Sequence, residues 1–239
     1  MPRHAFTLVE MLVVVAIIAV LAGMLIPTVG VVRRLMNDVK CGNQLQQIGA
    51  AIEVFKQNND ERFPNHLIGA PGTTEKDTSI LINSDSQLRG LSKLFICPRD
   101  SQGGKDSKLG RGSFDDLSYL YDSGPVFGKT VGSSYLYEAN GAQLQPNQVT
   151  WFYTRADAGQ FTRSKDPEPM PTWGVAKHNQ LINGSPDDSG TLYSGAFAPS
   201  LFPIVRCFWH YQWTGLDRKT QKKVRNVSWE LNVFDSTPF

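Results

Sequence analysis

Three regimes of apolar and polar residues succeed one another along this chain. From Met11 to Val32 the sequence reads MLVVVAIIAVLAGMLIPTVGVV, without one charged side chain. As a helix rising about 1.5 Å per residue, this run spans about 33 Å, enough for the hydrocarbon core of a bilayer. It is too long for an ordinary buried core helix. After Arg33-Arg34 the pattern becomes amphipathic: Leu35, Val39, Leu45, Ile48, Ile52 and Phe55 recur at three- to four-residue spacing, with Asn37, Asp38, Lys40, Gln44, Gln47, Glu53 and Lys56 between them. The polar run Asn58-Asn59-Asp60 before Phe63-Pro64 predicts a helix stop. Residues 6 to about 58 therefore read as one long helix, with Pro27, Gly30 and Gly42 as its weak points.

The third regime is β-prone and interrupted. Strand candidates are Ser79–Ile82, Lys93–Ile96, Ser134–Tyr137, Val149–Tyr153, Phe202–Trp213 and Val227–Phe234. The stretch Ser101–Ser113 reads as a solvated loop, and Asn183-Gly184 and Asp188-Ser189-Gly190 are turn signals, one of which a hairpin is expected to flank. No internal repeat is evident. The expected fold is α+β: a long N-terminal helix, half transmembrane and half amphipathic, packed on a C-terminal antiparallel sheet. The division is 1–5 leader, 6–32 membrane and assembly helix, 33–60 amphipathic continuation, and 61–239 a β-rich head with loop insertions.

Composition changes this picture little. A formal charge of +2 on 239 residues carries no global signature for nucleic acid, and none is expected as a partner. Lys219, Lys222, Lys223 and Arg225 cluster locally and read as a solvated turn, with binding of an acidic surface or extracellular DNA as the sharper alternative. The histidines His4, His66, His178 and His210 form no metal-binding spacing, and no nucleophile elbow, phosphate loop or dinucleotide fingerprint occurs. A Cys207–His210 nucleophile and base would point to opposite faces of a strand. The chain is therefore expected not to be an enzyme. Trp209, Tyr211, Trp213 and Trp229 read as packing aromatics rather than a sugar platform. Cys41, Cys97 and Cys207 are odd in number and spaced too widely for a zinc knuckle, so no cysteine metal site is expected.

Glu10 is out of place at the mouth of an apolar span, where a carboxylate needs a partner or water. With its neighbours it forms Ala5-Phe6-Thr7-Leu8-Val9-Glu10-Met11-Leu12. This stretch resembles the prepilin-type signal of type IV pilins and type II secretion pseudopilins: a short basic leader, a small residue, then Phe-Thr-Leu-Val-Glu running into an apolar helix. The resemblance covers Arg3 to Val32, including Pro27. The family usually has Gly before the cut, where this chain has Ala5.

The resemblance implies processing by a prepilin peptidase between Ala5 and Phe6, N-methylation of Phe6, and an assembly role for Glu10, paired with the N-terminal amine of a neighbouring subunit. Two opposite charges among packed helices offset one another's desolvation and set axial register. The implied function is a structural subunit of a type II secretion or type IV pilus-like filament. The alternative is a membrane-tethered binding protein whose head recognises an envelope or extracellular ligand. Implied partners are the peptidase, other pilin-like subunits and the assembly machinery of the inner membrane. The implied location is a single pass through that membrane with the head in the periplasm, or an extracellular filament. Arg33 and Arg34 taken alone would favour the opposite orientation. A head outside the cytoplasm lies where disulfides form, and any two of Cys41, Cys97 and Cys207 remain candidates. Major pseudopilins carry calcium in a head loop; Asp187 and Asp188, with Ser189, are the candidate ligands, and no other cofactor is expected. Cys41-Gly42-Asn43-Gln44-Leu45-Gln46-Gln47-Ile48-Gly49, Arg62-Phe63-Pro64 and Cys97-Pro98-Arg99-Asp100 further resemble large pilin-like families with this N-terminus and a variable head.

Overall fold

A computed structural model describes residues 8–104, 121–162, 167–209 and 224–236, without the side chains at 24–28, 31 and 121. The predicted long helix is present as α1, Leu8–Asn58, unbroken at Pro27, Gly30 and Gly42. It stops where the polar run predicts. Asn59 Nδ2 donates to the Phe55 carbonyl at 2.8 Å, and Asp60 and Glu61 take left-handed φ values of 52° and 60°.

By its internal contacts the chain divides into Met1–Lys40 and Cys41–Phe239. In the first unit no described side chain is buried. Leu35 and Val39, expected on the packed face, are exposed at 59% and 62%. Among the described residues no helix is long and apolar enough to cross a membrane; the span predicted over 11–32 runs through positions 24–28 and 31, whose side chains lie outside them.

In the second unit the buried face of α1 is Cys41, Leu45, Ile48, Ile52 and Phe55. Steps of four and three keep these residues on one stripe. They join a core with Tyr135, Tyr137, Val205, Cys207 and Val227 from one face of a sheet. That sheet is antiparallel with its strands in chain order: β1 Tyr121–Val126, β2 Lys129–Tyr137, β3 Pro203–Cys207, β4 Val224–Ser228 and β5 Val233–Ser236. Glycine lets helix and sheet approach: a Cβ on Gly49 would lie 3.1 Å from the Leu231 carbonyl oxygen and 3.5 Å from Val227.

The long connection between β2 and β3 carries two helices, α4 (Arg155–Thr162) and α5 (Trp173–Asn183). They cover the other sheet face in a second core with Leu136, Phe152, Trp173, Ala176, Phe208 and Val224. Strand alternation explains the split, since Leu136 must point away from Tyr135 and Tyr137.

Several strand candidates fold otherwise. Ser79–Ile82 runs into a helical turn, α2 (Leu81–Ser84), followed by α3 (Ser86–Gly90). Lys93–Ile96 falls in a 3₁₀ turn over Ser92–Phe95, and Val149–Tyr153 begins in another over Val149–Trp151. Ser134–Tyr137 lies within β2, and β3 occupies the start of the Phe202–Trp213 run, whose last residues lie outside the described set. Val227–Phe234 is two strands, β4 and β5, reversed at Leu231 with φ 65°. Asn183-Gly184 ends α5, with Gly184 at φ 90°. The Asp188-Ser189-Gly190 turn is flanked by an antiparallel bridge between Pro186 and Tyr193.

Candidate functional site

The first unit presents one acid on an apolar rod. Ala5 and Phe6, the expected processing positions, and the leader 1–5 lie outside the described residues. Glu10 sits exposed in the first turn of α1, the sole charged side chain between Leu8 and Val32. An acid there faces the positive end of the helix dipole. Val13, Val14, Val15, Ile17 and Ile18 point in every direction around the axis, and all are exposed. A helix apolar on all sides requires cover from lipid or other helices.

In the second unit Glu138 follows directly on β2 and is buried between two cations. Its oxygens lie 2.6 Å from Lys177 Nζ on α5 and 2.7 Å from Arg206 Nε on β3. Lys177 also donates to Gln180 Oε1 at 3.1 Å and stacks 4.3 Å above the Phe202 ring. Burial pushes the Glu138 carboxyl up, but Arg206 and Lys177 outweigh it and hold it below its ordinary value. Burial pulls the Lys177 ammonium down, and Glu138 only partly restores it. The triad ties α5 to the β2–β3 pair. Nothing in the local sequence announces it, because the three residues converge only through the sheet register and the helix between the strands.

Beside it opens a groove of about 790 Å³ lined by Lys56, Phe63, Asn140, Thr172, His178 and Trp229. The Trp229 ring lies 4.7 Å from Phe63 and 5.4 Å from His178, and Lys56 Nζ sits 5.2 Å over Phe63. Trp209 packs against the α1-side core, whereas Tyr211 and Trp213 lie outside the described residues. The groove thus combines aromatic faces with the cations Lys56 and Arg62 and the acid Glu61, a surface suited to a flat or hydroxylated ligand.

The acidic candidates serve turns. Asp187 Oδ1 accepts from the Thr191 and Leu192 amides at 2.8 and 3.2 Å, and Oδ2 from the Ser189 hydroxyl at 2.7 Å. The Ser189 hydrogen bond leads the causes that hold its carboxyl below the ordinary range. Asp188 is exposed beside it. Asp100, from the Cys-Pro-Arg-Asp stretch, accepts from the Gln102 and Gly104 amides and from Ser134 Oγ, pinning its turn to β2. Asp122 holds His66 Nδ1 at 3.0 Å and accepts from the Leu67 and Ile68 amides.

The three cysteines, distant in sequence, meet in space. Cys41 on α1, Cys97 after the 3₁₀ turn and Cys207 on β3 are all fully buried and outside any disulfide, with their sulfurs within 4.8 Å of one another. Cys41 and Cys207 sulfurs are 3.5 Å apart. Tyr135 Oη lies 3.8 Å from Cys41 Sγ and donates to Gln44 Oε1 at 3.0 Å.

Residues 1–26 match the prokaryotic N-terminal methylation motif, the signal of type IV pilins and pseudopilins. No curated protein and no solved structure matches the chain significantly.

Proposed function

We propose that this chain is a structural subunit of a type IV pilus-like or type II secretion filament. A prepilin peptidase cuts between Ala5 and Phe6 and methylates the new amine. The apolar half of α1 holds the subunit in the inner membrane, with the head in the periplasm, until assembly machinery moves it into a bundle of like helices. One observation carries this reading: the methylation motif at 1–26 opens onto a helix that is apolar on every side, with Glu10 as its lone charge. In a bundle the neighbouring helices bury that apolar surface, and Glu10 meets the amine of an adjoining Phe6. Two charges so placed offset each other's desolvation and select one axial register.

Mass spectrometry of the protein from its native envelope tests this. The expected mature chain begins at methylated Phe6, and Glu10→Ala leaves that product intact while abolishing filament incorporation. A native chain that keeps Met1 or begins near Gly30 removes the basis for the proposal.

A second reading, a membrane-tethered binding protein, draws on the aromatic groove around Trp229. It predicts a monomer in the membrane, and ligand capture that responds to Trp229→Ala but not to Glu10→Ala.

A further inference from the structure

Every cysteine of this chain lies in one buried cluster, although the three are contributed by a helix, a loop and a strand. Chance packing of small apolar residues gives no reason for all three to converge. A disulfide gives a reason for two and leaves the third without one. A soft metal ion uses all three. Metal–thiolate bonds of about 2.3 Å place the sulfurs of a trigonal site about 4 Å apart. The separations here, 3.5 Å for one pair and none above 4.8 Å, bracket that distance. We propose that Cys41, Cys97 and Cys207 form a buried binding site for a single thiophilic cation, with Cu(I) favoured over Zn(II).

The choice between ions follows from ligand number and burial. Thiolates select soft ions, and Cu(I) is satisfied by three of them. A structural Zn(II) site is closed by a fourth ligand. The Tyr135 phenol lies beside the cluster, 3.8 Å from Cys41 Sγ. It also donates to Gln44, which occupies the Gln44 side-chain oxygen. All three thiols are shut off from solvent, so water is not at hand as the fourth ligand. Binding balances as one cation in and three thiol protons out, leaving the site anionic. Arg225, the partner of Cys207 across β3 and β4, reaches to 3.2 Å from the position a Cβ on Gly42 would take, next to Cys41. Its guanidinium, shared with Asp235 at 3.0 Å, is placed to offset part of that charge. The bound ion would clasp α1, the Cys97 loop and β3 at one point, as structural metals do in small domains.

The full-length chain, reduced in detergent micelles and freed of reductant under nitrogen, is titrated separately with Cu(I) and with Zn(II). Binding is followed by thiolate-to-metal absorption and by the thermal midpoint. The expected result is one Cu(I) per chain, a raised midpoint, and weaker Zn(II) binding. Cys97→Ala and Cys207→Ala should each abolish the absorption. Should either variant fail to fold, alkylation kinetics on the wild-type chain decide: Cu(I) must protect all three thiols together. Three outcomes overturn the proposal: Cu(I) uptake indifferent to the cysteines, Zn(II) held more tightly than Cu(I), or a native-envelope chain with a Cys41–Cys207 disulfide and a free Cys97.

Discussion

Glu138 is ringed by protein rather than water, and its two cations fix what its loss does. Glu138→Gln keeps the shape but leaves the buried Lys177 and the half-buried Arg206 together without their anion. Breaking such a pair by removing one partner costs about 3–5 kcal/mol, to be read from urea unfolding. The same residue sets an acid sensitivity. Its folded carboxyl titrates below the ordinary value, so its contribution is complete above the unfolded pKa of about 4.3 and is lost as pH falls through the folded one. The pH dependence of unfolding below that point should therefore flatten in the Gln variant. Neither this triad nor the meeting of the three cysteines was legible in the sequence. The residues sit far apart along the chain, and wide cysteine spacing excludes a local metal knuckle without excluding a tertiary one. Glu10 was legible, because an acid on an apolar run stands out before any fold exists.

At the scale of elements, periodicity succeeded where it was long. The stripe Leu45, Ile48, Ile52 and Phe55 predicts a packed helix face, and those four side chains are buried. It failed where apolar runs were short. Ile80, Leu81 and Ile82 are all buried, and a run of that length bounded by turns does not tell strand from helix. α5 carries a signal readable in the sequence: Thr172 caps it by accepting from the Val175 amide, Gly184 ends it, and the buried Trp173, Ala176, Lys177 and Leu181 follow a helical period. Two glycines on helices separate packing from propensity. Gly49 faces the Leu231 carbonyl, so Gly49→Val overpacks the helix–sheet contact and should destabilise by about 1–3 kcal/mol. Gly159 on α4 has nothing within 4 Å, so Gly159→Ala should stabilise by about 0.5–1 kcal/mol. Thermal melts of the two variants should move in opposite directions.

At the scale of the whole molecule, the chain divides into two units. No described side chain before Cys41 is buried, so a fragment beginning at Arg33 retains every described buried residue. It should stay soluble without detergent and keep the near-ultraviolet circular dichroism of the full chain; a molten spectrum would show that the head depends on the removed segment. The sequence by itself determined the N-terminal signal: a methylation motif, one acid and an uncharged apolar run are local features whose physics needs no partner from elsewhere in the chain. It also determined that a helix would pack against a sheet, because a 3.6-residue stripe and β-prone runs each need an apolar neighbour. Only the tertiary structure decided that both faces of the sheet are covered, that Glu138 is neutralised from two sides, and that three distant thiols share one buried cluster. Those outcomes depend on strand order and register, which bring together residues that no local pattern connects.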